Sequence, residues 1–314
     1  MIKALGSAFF YTRFFSSFSA LGYRRRARSW PKFEPDFSGQ LWVVTGATGG
    51  IGRAIVLAAL KAGAQVIAVA RSPEKLRSLA LTAATDRLST ACVDLSLSSA
   101  VRAFAASLAR GPKIDVLMNN VGVLLNEHSL TASGVETSFA SNLLNHFVLT
   151  EQLKASATLK ANGAVINMSS GGMYGTKLKL AEMNATRAPG YDGMAAYALH
   201  KRAQVELTRA FNQRWQGAPI CYVMHPGWAD TDGVRTSLPM FRAVLKGFLR
   251  SAEQGADTAL WLAATRPPNA PDGGIWLDRE LHPEHAFSFT RSSPDDANAL
   301  YAWLQQLSKP RGLG

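Results

Sequence analysis

The sequence predicts a doubly wound α/β fold, with one domain built on a mainly parallel sheet of seven strands and helices on both faces. From residue 41 onward, short apolar runs alternate with longer helical patterns. Apolar runs without polar alternation are typical of strands buried on both faces, and strands that alternate with helices form parallel sheets with right-handed crossovers. The 314 residues contain no internal repeat and no Gly/Ser-rich linker, so we expect one large domain rather than two.

The elements follow from these patterns in chain order. The predicted strands are residues 41–45, 65–70, 88–93, 114–118, 164–168, 220–224 and 274–277. The predicted helices include residues 51–62, 73–84, 98–109, 195–215 and 253–264. The domain would therefore span residues 38–314, preceded by an amphipathic, basic extension over residues 1–37.

The distribution of charge argues against a nucleic-acid partner. The formal net charge is +12, but seven positive charges lie within residues 1–33, which contain no acidic residue. The rest of the chain therefore carries only +5, spread along its length, whereas a nucleic-acid-binding domain concentrates its basic residues on one face. The basicity belongs mainly to the extension.

The extension itself combines an apolar run with a basic block. Its phenylalanines recur at loosely helical spacing, and the basic block over residues 24–28 follows them. Arg13 makes the apolar run too short for a membrane span, and a secretory signal would place its charges before the apolar region. Two interpretations stay open: a helix in peripheral contact with an anionic membrane surface through residues 1–33, or a helix that packs on its own domain.

The two cysteines, Cys92 and Cys221, both lie in apolar runs that we expect to form buried strands. Two cysteines make no disulfide framework, and no group of His, Cys, Asp and Glu has the spacing of metal ligands. The sequence therefore predicts no metal site and a reducing compartment. We expect a cytoplasmic protein, with a peripheral position on a membrane as the further option.

A glycine-rich turn follows the first predicted strand and opens directly into a helix. Glycines allow such a turn to bend sharply and let a diphosphate approach the backbone, where the positive helix N-terminus binds it. The position between a predicted strand and a predicted helix favours dinucleotide binding over a simple loop closure. The predicted contacts in this turn are Gly46, Thr48, Gly49, Gly50, Ile51 and Gly52.

The residues that follow the next strands complete the predicted cofactor site. Arg71 follows the second strand, where a cation accommodates the 2′-phosphate of NADP and an acidic residue would bind the ribose of NAD. The sequence therefore predicts NADP(H) as the preferred cofactor, with NAD(H) as the alternative. The predicted contacts at these strand ends are Arg71, Ser72, Asp94, Leu95, Asn120, Val121 and Gly122.

Taken in order, these motifs resemble those of the short-chain dehydrogenase/reductase family across about residues 38–280. The turn matches the family's TGxxxGIG, residues 119–122 are similar to its NNAG, and residues 197–201 match its YxxxK. Ser170 lies where the family has a catalytic serine, and Pro226-Gly227 resembles its turn beside the nicotinamide. Residues 169–173 and 224–231 resemble a subgroup related to the retinol-dehydrogenase-like enzymes, whose members also carry an N-terminal extension. The resemblance implies a Rossmann-type fold, a homodimer and the chemistry of a carbonyl reductase.

The catalytic residues that the resemblance implies are Ser170, Tyr197, Lys201 and Asn142. Tyr197 and Lys201, four residues apart, share one face of a predicted helix. A phenol has a pKa of about 10, and the Lys201 ammonium with the oxidised nicotinamide should lower it toward neutrality. Tyr197 and Lys201 would also contact the cofactor, and Ser170 would donate to the substrate oxygen. Asn142 would hold a water linked to Lys201, with Asn145 as the competing candidate.

Two segments around this site depart from the common family pattern. The distance from Ser170 to Tyr197 is longer than in most members, so residues 174–192 would form a flap, and either Ser169 or Ser170 would face the substrate. Residues 228–249 would form a mobile loop. Its large apolar side chains would line a lipophilic pocket or simply pack the loop down: Trp228, Met240, Phe241 and Phe248.

These features predict an oxidoreductase that transfers hydride between NADP(H) and a hydrophobic carbonyl or alcohol. Aldehydes, ketones, retinoids and steroids are the expected substrate classes. The alternative is an NADP(H)-binding sensor or membrane-docking module without turnover, which the presence of Ser170, Tyr197 and Lys201 disfavours.

Overall fold

The computed structural model describes residues 12–187, 189–268 and 273–309, which form three layers with a sheet between two sets of helices. The strands are β1 (Leu41–Thr45), β2 (Gln65–Ala70), β3 (Leu88–Cys92), β4 (Ile114–Asn119), β5 (Leu159–Met168), β6 (Ile220–Met224), β7 (Ile275–Leu277) and β8 (Glu280–His282). The helices are α1 (Ala20–Ala27), α2 (Gly50–Lys61), α3 (Pro73–Ala83), α4 (Ser98–Leu108), α5 (Thr137–Phe139), α6 (Asn145–Ala155), α7 (Leu180–Met183), α8 (Gly193–Trp215), α9 (Asp232–Ser237), α10 (Pro239–Leu245), α11 (Ala252–Thr265) and α12 (Pro294–Leu307).

The sheet confirms the doubly wound α/β fold but corrects the number of strands. Its order within the described residues is β3-β2-β1-β4-β5-β6-β7-β8, and every pair is parallel except β7 with β8. The sequence predicted seven strands, and the eighth is β8, which pairs antiparallel with β7 across the turn at Asp278 and Arg279. A three-residue strand in a tight hairpin is too short to show a periodic pattern, which is why it escaped prediction.

The two faces of the sheet carry separate apolar cores. One face packs against α4, α6, α8 and α12, with Phe104, Phe147 and Leu300 among its buried side chains. The other packs against α2, α3 and α11, where Ile55 and Leu76 are buried. Because β1, β4, β5 and β6 are parallel neighbours, their carboxyl ends meet at one edge of the sheet, and this edge carries the predicted site.

The prediction that both cysteines are buried is wrong for Cys92. Cys92 is exposed, whereas Cys221, on the interior strand β6, is buried. The strand β3 lies at the edge of the sheet, and each of its residues is half-buried or exposed. The local sequence does not encode the position of a strand in the sheet. That position therefore decides whether an apolar run such as that of Cys92 or Cys221 is buried.

The described part of the extension packs on the domain. Residues 12–18 are helical and α1 follows, with Phe14 and Phe18 buried beside Tyr174, Val223 and Ile275. The prediction of membrane contact also concerns residues 1–11, which lie outside the described residues. In the described parts of the chain, no helix is long and apolar enough to cross a membrane.

The two segments predicted as a flap and a mobile loop both contain ordered elements. Residues 174–192 include α7, and the Met183 side chain of that helix is fully buried. Residues 228–249 contain α9 and α10, which have no buried residue. The first segment is therefore part of the core, whereas the second lies on the surface.

Candidate active site

The glycine-rich turn has the shape that a diphosphate requires. Gly46 and Gly50 adopt φ angles of +65° and +48°, which favour glycine. A Cβ atom at Gly52 would lie 2.1 Å from the Gly46 carbonyl oxygen, so the turn closes only with glycine there. Helix α2 begins after Gly49, which provides no side-chain cap, so its first N–H groups remain available to an anion. The turn thus fits the diphosphate of a dinucleotide.

Asn120 and Val121 hold this turn from the neighbouring strand. The Asn120 side-chain amide donates to the carbonyls of Thr45 (2.9 Å) and Gly46 (3.3 Å). The backbone N–H groups of Asn120 and Val121 donate to the Thr45 hydroxyl, at 3.0 and 3.2 Å. The structure therefore places both residues at the predicted site, where the polar groups of Asn120 shape the turn.

The residues predicted to bind the adenosine part of the cofactor, after β2 and β3, include one that is exposed to solvent, whereas residues 46–52 of the glycine-rich turn are buried or half-buried. Arg71 is exposed after β2, as a partner for a phosphate would be. The Ser72 hydroxyl caps α3 by accepting from Lys75 N (3.2 Å) and donates to Glu74 (2.9 Å), so it is already engaged. Asp94 is half-buried and accepts from the N–H of Ser96 at 2.8 Å. Of these groups, the Arg71 guanidinium is the one that remains exposed to a ligand.

Ser170, Tyr197 and Lys201 come together at the ends of β5 and α8. The side chains of Ser170 and Tyr197 form a hydrogen bond, and the Lys201 ammonium lies 5.5 Å from the centroid of the Tyr197 ring. A Cβ atom at Gly122 would lie only 3.0 Å from Lys201 Nζ, so the turn after β4 closes against the same group. The Ser169 hydroxyl instead donates to the buried Lys201 carbonyl at 2.8 Å. Between the two candidate serines, the geometry therefore favours Ser170.

Burial dominates the electrostatics of this group. Removal from water lowers the pKa of Lys201 to about 7, because it disfavours the ammonium. Burial also raises the pKa of Tyr197, and the hydrogen bond from Ser170 opposes this shift. In the protein without cofactor, the pKa of the Tyr197 phenol is therefore raised. The predicted lowering by Lys201 also required the oxidised nicotinamide. The described contact that favours ionisation of the phenol is the one with Ser170.

The structure distinguishes the two candidate asparagines. Asn142 lies in a buried π-helical turn (Ala140–Leu144), and its side-chain amide bonds both backbone groups of Val123, at 2.7 and 2.8 Å. Asn145 points elsewhere, donating to the Leu95 carbonyl (2.8 Å) and accepting from Ser98 (2.7 Å). Asn142 therefore holds the chain that follows β4, and Asn145 holds the loop after β3.

Gln204 is a buried member of the site that the sequence analysis missed. Its side-chain oxygen accepts from Lys201 Nζ (3.2 Å), and its nitrogen donates to the Asn142 carbonyl (2.9 Å). Lys201 also donates to the Met168 carbonyl at 2.6 Å. Gln204 thus connects the Lys201 ammonium to the Asn142 carbonyl. Its place one helical turn after Lys201 could have signalled this role.

The predicted Pro226-Gly227 turn lies at the end of β6. Gly227 has a φ of +72°, and its N–H donates to the buried His225 ring at 3.1 Å. The following loop reaches the glycine-rich turn, because a Cβ atom at Gly50 would lie 3.0 Å from Thr231. The loop after the Pro-Gly turn and the glycine-rich turn are therefore neighbours.

The four apolar residues predicted around the substrate do not behave alike. The rings of Trp228 and Phe241 pack edge to face, with centroids 5.7 Å apart. Phe248 is partly exposed and packs against Phe15. Met240 is 78% exposed and points into solvent, so it does not line a pocket in this conformation.

A separate acidic group lies between α8 and the chain that follows β8. Ligand atoms of Glu206, Glu284 and His285 come within 4.8 Å of one another. Arg209 forms ion pairs with both carboxylates, so a guanidinium already neutralises the group. We therefore interpret this cluster as an ion-pair network rather than a metal centre.

Comparison with known proteins identifies the family. The family model described as short chain dehydrogenase matches residues 40–240. The chain belongs to the short-chain dehydrogenase/reductase family. It is an oxidoreductase that acts on CH–OH or C=O groups. Members of the family bind NAD(P)(H), which agrees with the fit of the glycine-rich turn.

Individual relatives extend over most of the chain. Dehydrogenase/reductase SDR family member 12 of Bos taurus is 34% identical, across 96% of this chain and 98% of that protein. Retinol dehydrogenase 12 of Homo sapiens is 32% identical, across 72% of this chain and 73% of that protein. The solved structure of an NAD(P)-dependent gluconate 5-dehydrogenase from Beutenbergia cavernae, with bound NADP, is 25% identical with a TM-score of 0.59 and covers 73% and 91% of the two chains. The predicted resemblance to the retinol-dehydrogenase-like branch is therefore confirmed.

Proposed function

We propose that this short-chain dehydrogenase/reductase transfers hydride between NADP(H) and a lipophilic carbonyl or alcohol. The observation that carries the proposal is the convergence of Ser170, Tyr197 and Lys201 beside Gly122. A hydroxyl, a phenol and an ammonium in one cleft can hold a carbonyl oxygen and exchange a proton with it.

In this proposal each side chain has a distinct task. A bound nicotinamide dinucleotide supplies or accepts the hydride, held by the glycine-rich turn and Arg71. Ser170 donates to the substrate oxygen, while the Tyr197 hydroxyl transfers its proton to that oxygen during reduction. Lys201, fixed by Met168 and Gln204, provides a cation beside the phenol. Because the pKa of Lys201 is about 7, its charge is sensitive to pH near neutrality.

An NADPH-oxidation screen tests the proposal directly. The panel would contain all-trans-retinal, a steroid ketone, a long-chain aldehyde and a quinone, each with NADPH and with NADH. We expect turnover of at least one lipophilic carbonyl. NADPH binding without turnover of any compound would instead support the sensor alternative.

The preference for NADP(H) rests on Arg71. This exposed guanidinium at the end of β2 suits a 2′-phosphate, and the related gluconate 5-dehydrogenase contains NADP. We expect Arg71→Asp to weaken NADPH binding by about 10- to 100-fold, because a charge-assisted contact is worth about 1.5–3 kcal/mol. NADH binding should change little. Fluorescence titration with both cofactors measures this, and Arg110→Asp, an exposed arginine at the end of α4, is the matched control. Unchanged preference in Arg71→Asp would contradict the assignment.

The lipophilic substrate class follows from the aromatic side chains near the Pro-Gly turn. Trp228 and Phe241 present apolar surface on the loop after β6. The relative retinol dehydrogenase 12 is named for a lipophilic alcohol, which favours the same class here. We include retinoids and steroids in the proposal on these two grounds.

Peripheral membrane contact and a homodimer complete the proposal. Arg24, Arg25 and Arg28 are exposed on or just after α1, and such cations favour an anionic lipid surface. Flotation with phosphatidylserine vesicles, compared between wild type and the triple Glu variant of these arginines, tests this contact.

A homodimer would need a surface other than the outer faces of α6 and α8, because α12 of the same chain packs there. Light scattering measures the oligomeric state.

A further inference from the structure

The N-terminal segment (residues 12–30) makes its contacts next to the candidate active site. The side chain of Phe18 is 2% exposed. Its ring packs edge to face on His225 (4.4 Å between centroids) and on Trp228 (5.7 Å). These two residues flank the Pro226-Gly227 turn. One phenylalanine of the extension therefore packs against both sides of that turn.

The same ring also contacts the chain that follows Ser170. A Cβ atom at Gly171 would lie 2.6, 3.0 and 3.3 Å from three atoms of the Phe18 ring. The ring therefore fills the space that a side chain at residue 171 would take. The buried Phe18 ring thus contacts both Gly171, the residue after Ser170, and the turn after β6.

Backbone hydrogen bonds fix the segment to both ends of the loop that precedes α11. The Phe18 carbonyl accepts from Trp228 N at 2.9 Å, and Ala20 N donates to the Phe248 carbonyl at 2.8 Å. A Cβ atom at Gly227 would lie 2.7 Å from the Phe18 carbonyl oxygen. The loop over residues 228–249 therefore begins and ends against the N-terminal segment.

A buried ionic group holds the segment in place. The Arg250 guanidinium, 1% exposed, donates to the carbonyls of Ser17 (2.7 Å) and Phe18 (2.9 Å) and to the Asp278 carboxylate. Arg26 of α1 pairs with the same carboxylate. Arg26, a basic residue of the extension, thus forms an ion pair with a buried carboxylate of the domain.

Phe15 extends these contacts toward the aromatic side chains of the loop. Its half-buried ring lies 5.0 Å from that of Phe248 and 6.3 Å from that of Trp228, measured between centroids. We propose that two phenylalanines of the N-terminal segment belong to the active site: Phe18 positions Ser170 and the Pro226-Gly227 turn, and Phe15 borders the substrate. This inference rests on the proposed function, and it adds two residues from outside the family's motifs.

Kinetic measurements test the positioning role. With NADPH and all-trans-retinal or benzaldehyde, we expect Phe18→Ala to lower kcat by about tenfold or more, because small displacements of positioned groups are costly. The NADPH dissociation constant should change less than kcat, since Phe18 packs on His225 and Trp228 and not on the glycine-rich turn or Arg71. We expect Phe15→Ala to raise KM for the long retinal more than for benzaldehyde. Leu21→Ala, at a 49% exposed position of the same segment, is the control and should match wild type.

A contact-specific rescue separates positioning from general destabilisation. Gly171→Ala should also lower kcat, because the added methyl group collides with Phe18. The double variant Gly171→Ala/Phe18→Leu should recover part of that loss, because leucine leaves room for the methyl group. Additive losses in the double variant would overturn the proposed contact.

Limited proteolysis provides a readout that does not depend on turnover. Trypsin sites at Arg235 and Lys246 are exposed on the loop over residues 228–249. We expect faster cleavage there in Phe18→Ala and in Gly171→Ala than in wild type or Leu21→Ala, at matched temperatures below unfolding. If wild type turns over no carbonyl, the proposed function fails while this assay still tests the positioning. Wild-type kcat together with wild-type cleavage in Phe18→Ala would overturn the inference.

Discussion

Replacing Tyr197 by phenylalanine is expected to lower kcat by about 10²- to 10⁴-fold, the usual contribution of a positioned acid or base. The substitution removes the hydroxyl that bonds to Ser170 and leaves the ring beside the Lys201 ammonium. Affinity for NADPH should change by less than about threefold, because the glycine-rich turn and Arg71 are untouched. Steady-state kinetics on the best substrate of the screen, together with fluorescence titration of NADPH, measures both quantities.

Tyr191→Phe is the matched control for this prediction. It removes a phenol of the same chain that donates to Glu136 at 3.2 Å, outside the group around Lys201. The loss of that neutral-to-charged hydrogen bond should reduce stability by about 1.5–3 kcal/mol without a large effect on kcat. Normal turnover in Tyr197→Phe would show that another group provides the proton, and the mechanism proposed above would then be wrong.

Replacing Asp278 by alanine is expected to reduce the free energy of unfolding by about 3–5 kcal/mol, the typical cost of breaking a buried ion pair. Asp278 is fully buried in the turn between β7 and β8 and accepts from both Arg250 and Arg26. Without the carboxylate, the Arg250 guanidinium would remain buried with only carbonyl partners. Chemical denaturation measures the change in unfolding free energy.

Glu182→Ala provides the comparison at an exposed ion pair. Glu182 pairs with Lys179, and both side chains are more than half exposed. Such pairs contribute about 0–1 kcal/mol, so this variant should unfold like wild type. An effect of Asp278→Ala no larger than that of Glu182→Ala would show that the buried group does not hold the N-terminal segment. We also expect trypsin to cleave residues 228–249 faster in Asp278→Ala, because the segment that borders this loop is released.

Several features of the site were predictable because they depend on neighbours in the sequence. The turn between Gly46 and Gly52 joins a strand to a helix within eight residues, and its glycines have a local steric reason. Tyr197 and Lys201 share a face of α8 because they are one helical turn apart. The same helical spacing places Gln204 beside Lys201, and the Gln204 side chain is long enough to reach the ammonium.

Other features depend on which surfaces meet. Ser169 and Ser170 are equivalent by local pattern, and the contact of Ser169 with the Lys201 carbonyl on α8 separates them. The burial of Cys92 depended on the edge position of β3, which only the strand order reveals. The pKa of Tyr197 was predicted to fall beside Lys201 and the oxidised nicotinamide; in the protein alone, burial, a property of the whole fold, raises it.

The sequence by itself determined the doubly wound α/β fold, the glycine-rich turn and the tyrosine–lysine pair, because repeating periodicities and short-range geometry specify them. The tertiary structure alone decided how the N-terminal segment is used. Arg26 and Asp278 are 252 positions apart in the chain and share one buried ion pair. Phe18 contacts Gly171, His225 and Trp228, which no local pattern connects. Long-range packing therefore places residues 12–30 against the domain beside Ser170 and the turn after β6, a contact that the local sequence does not specify.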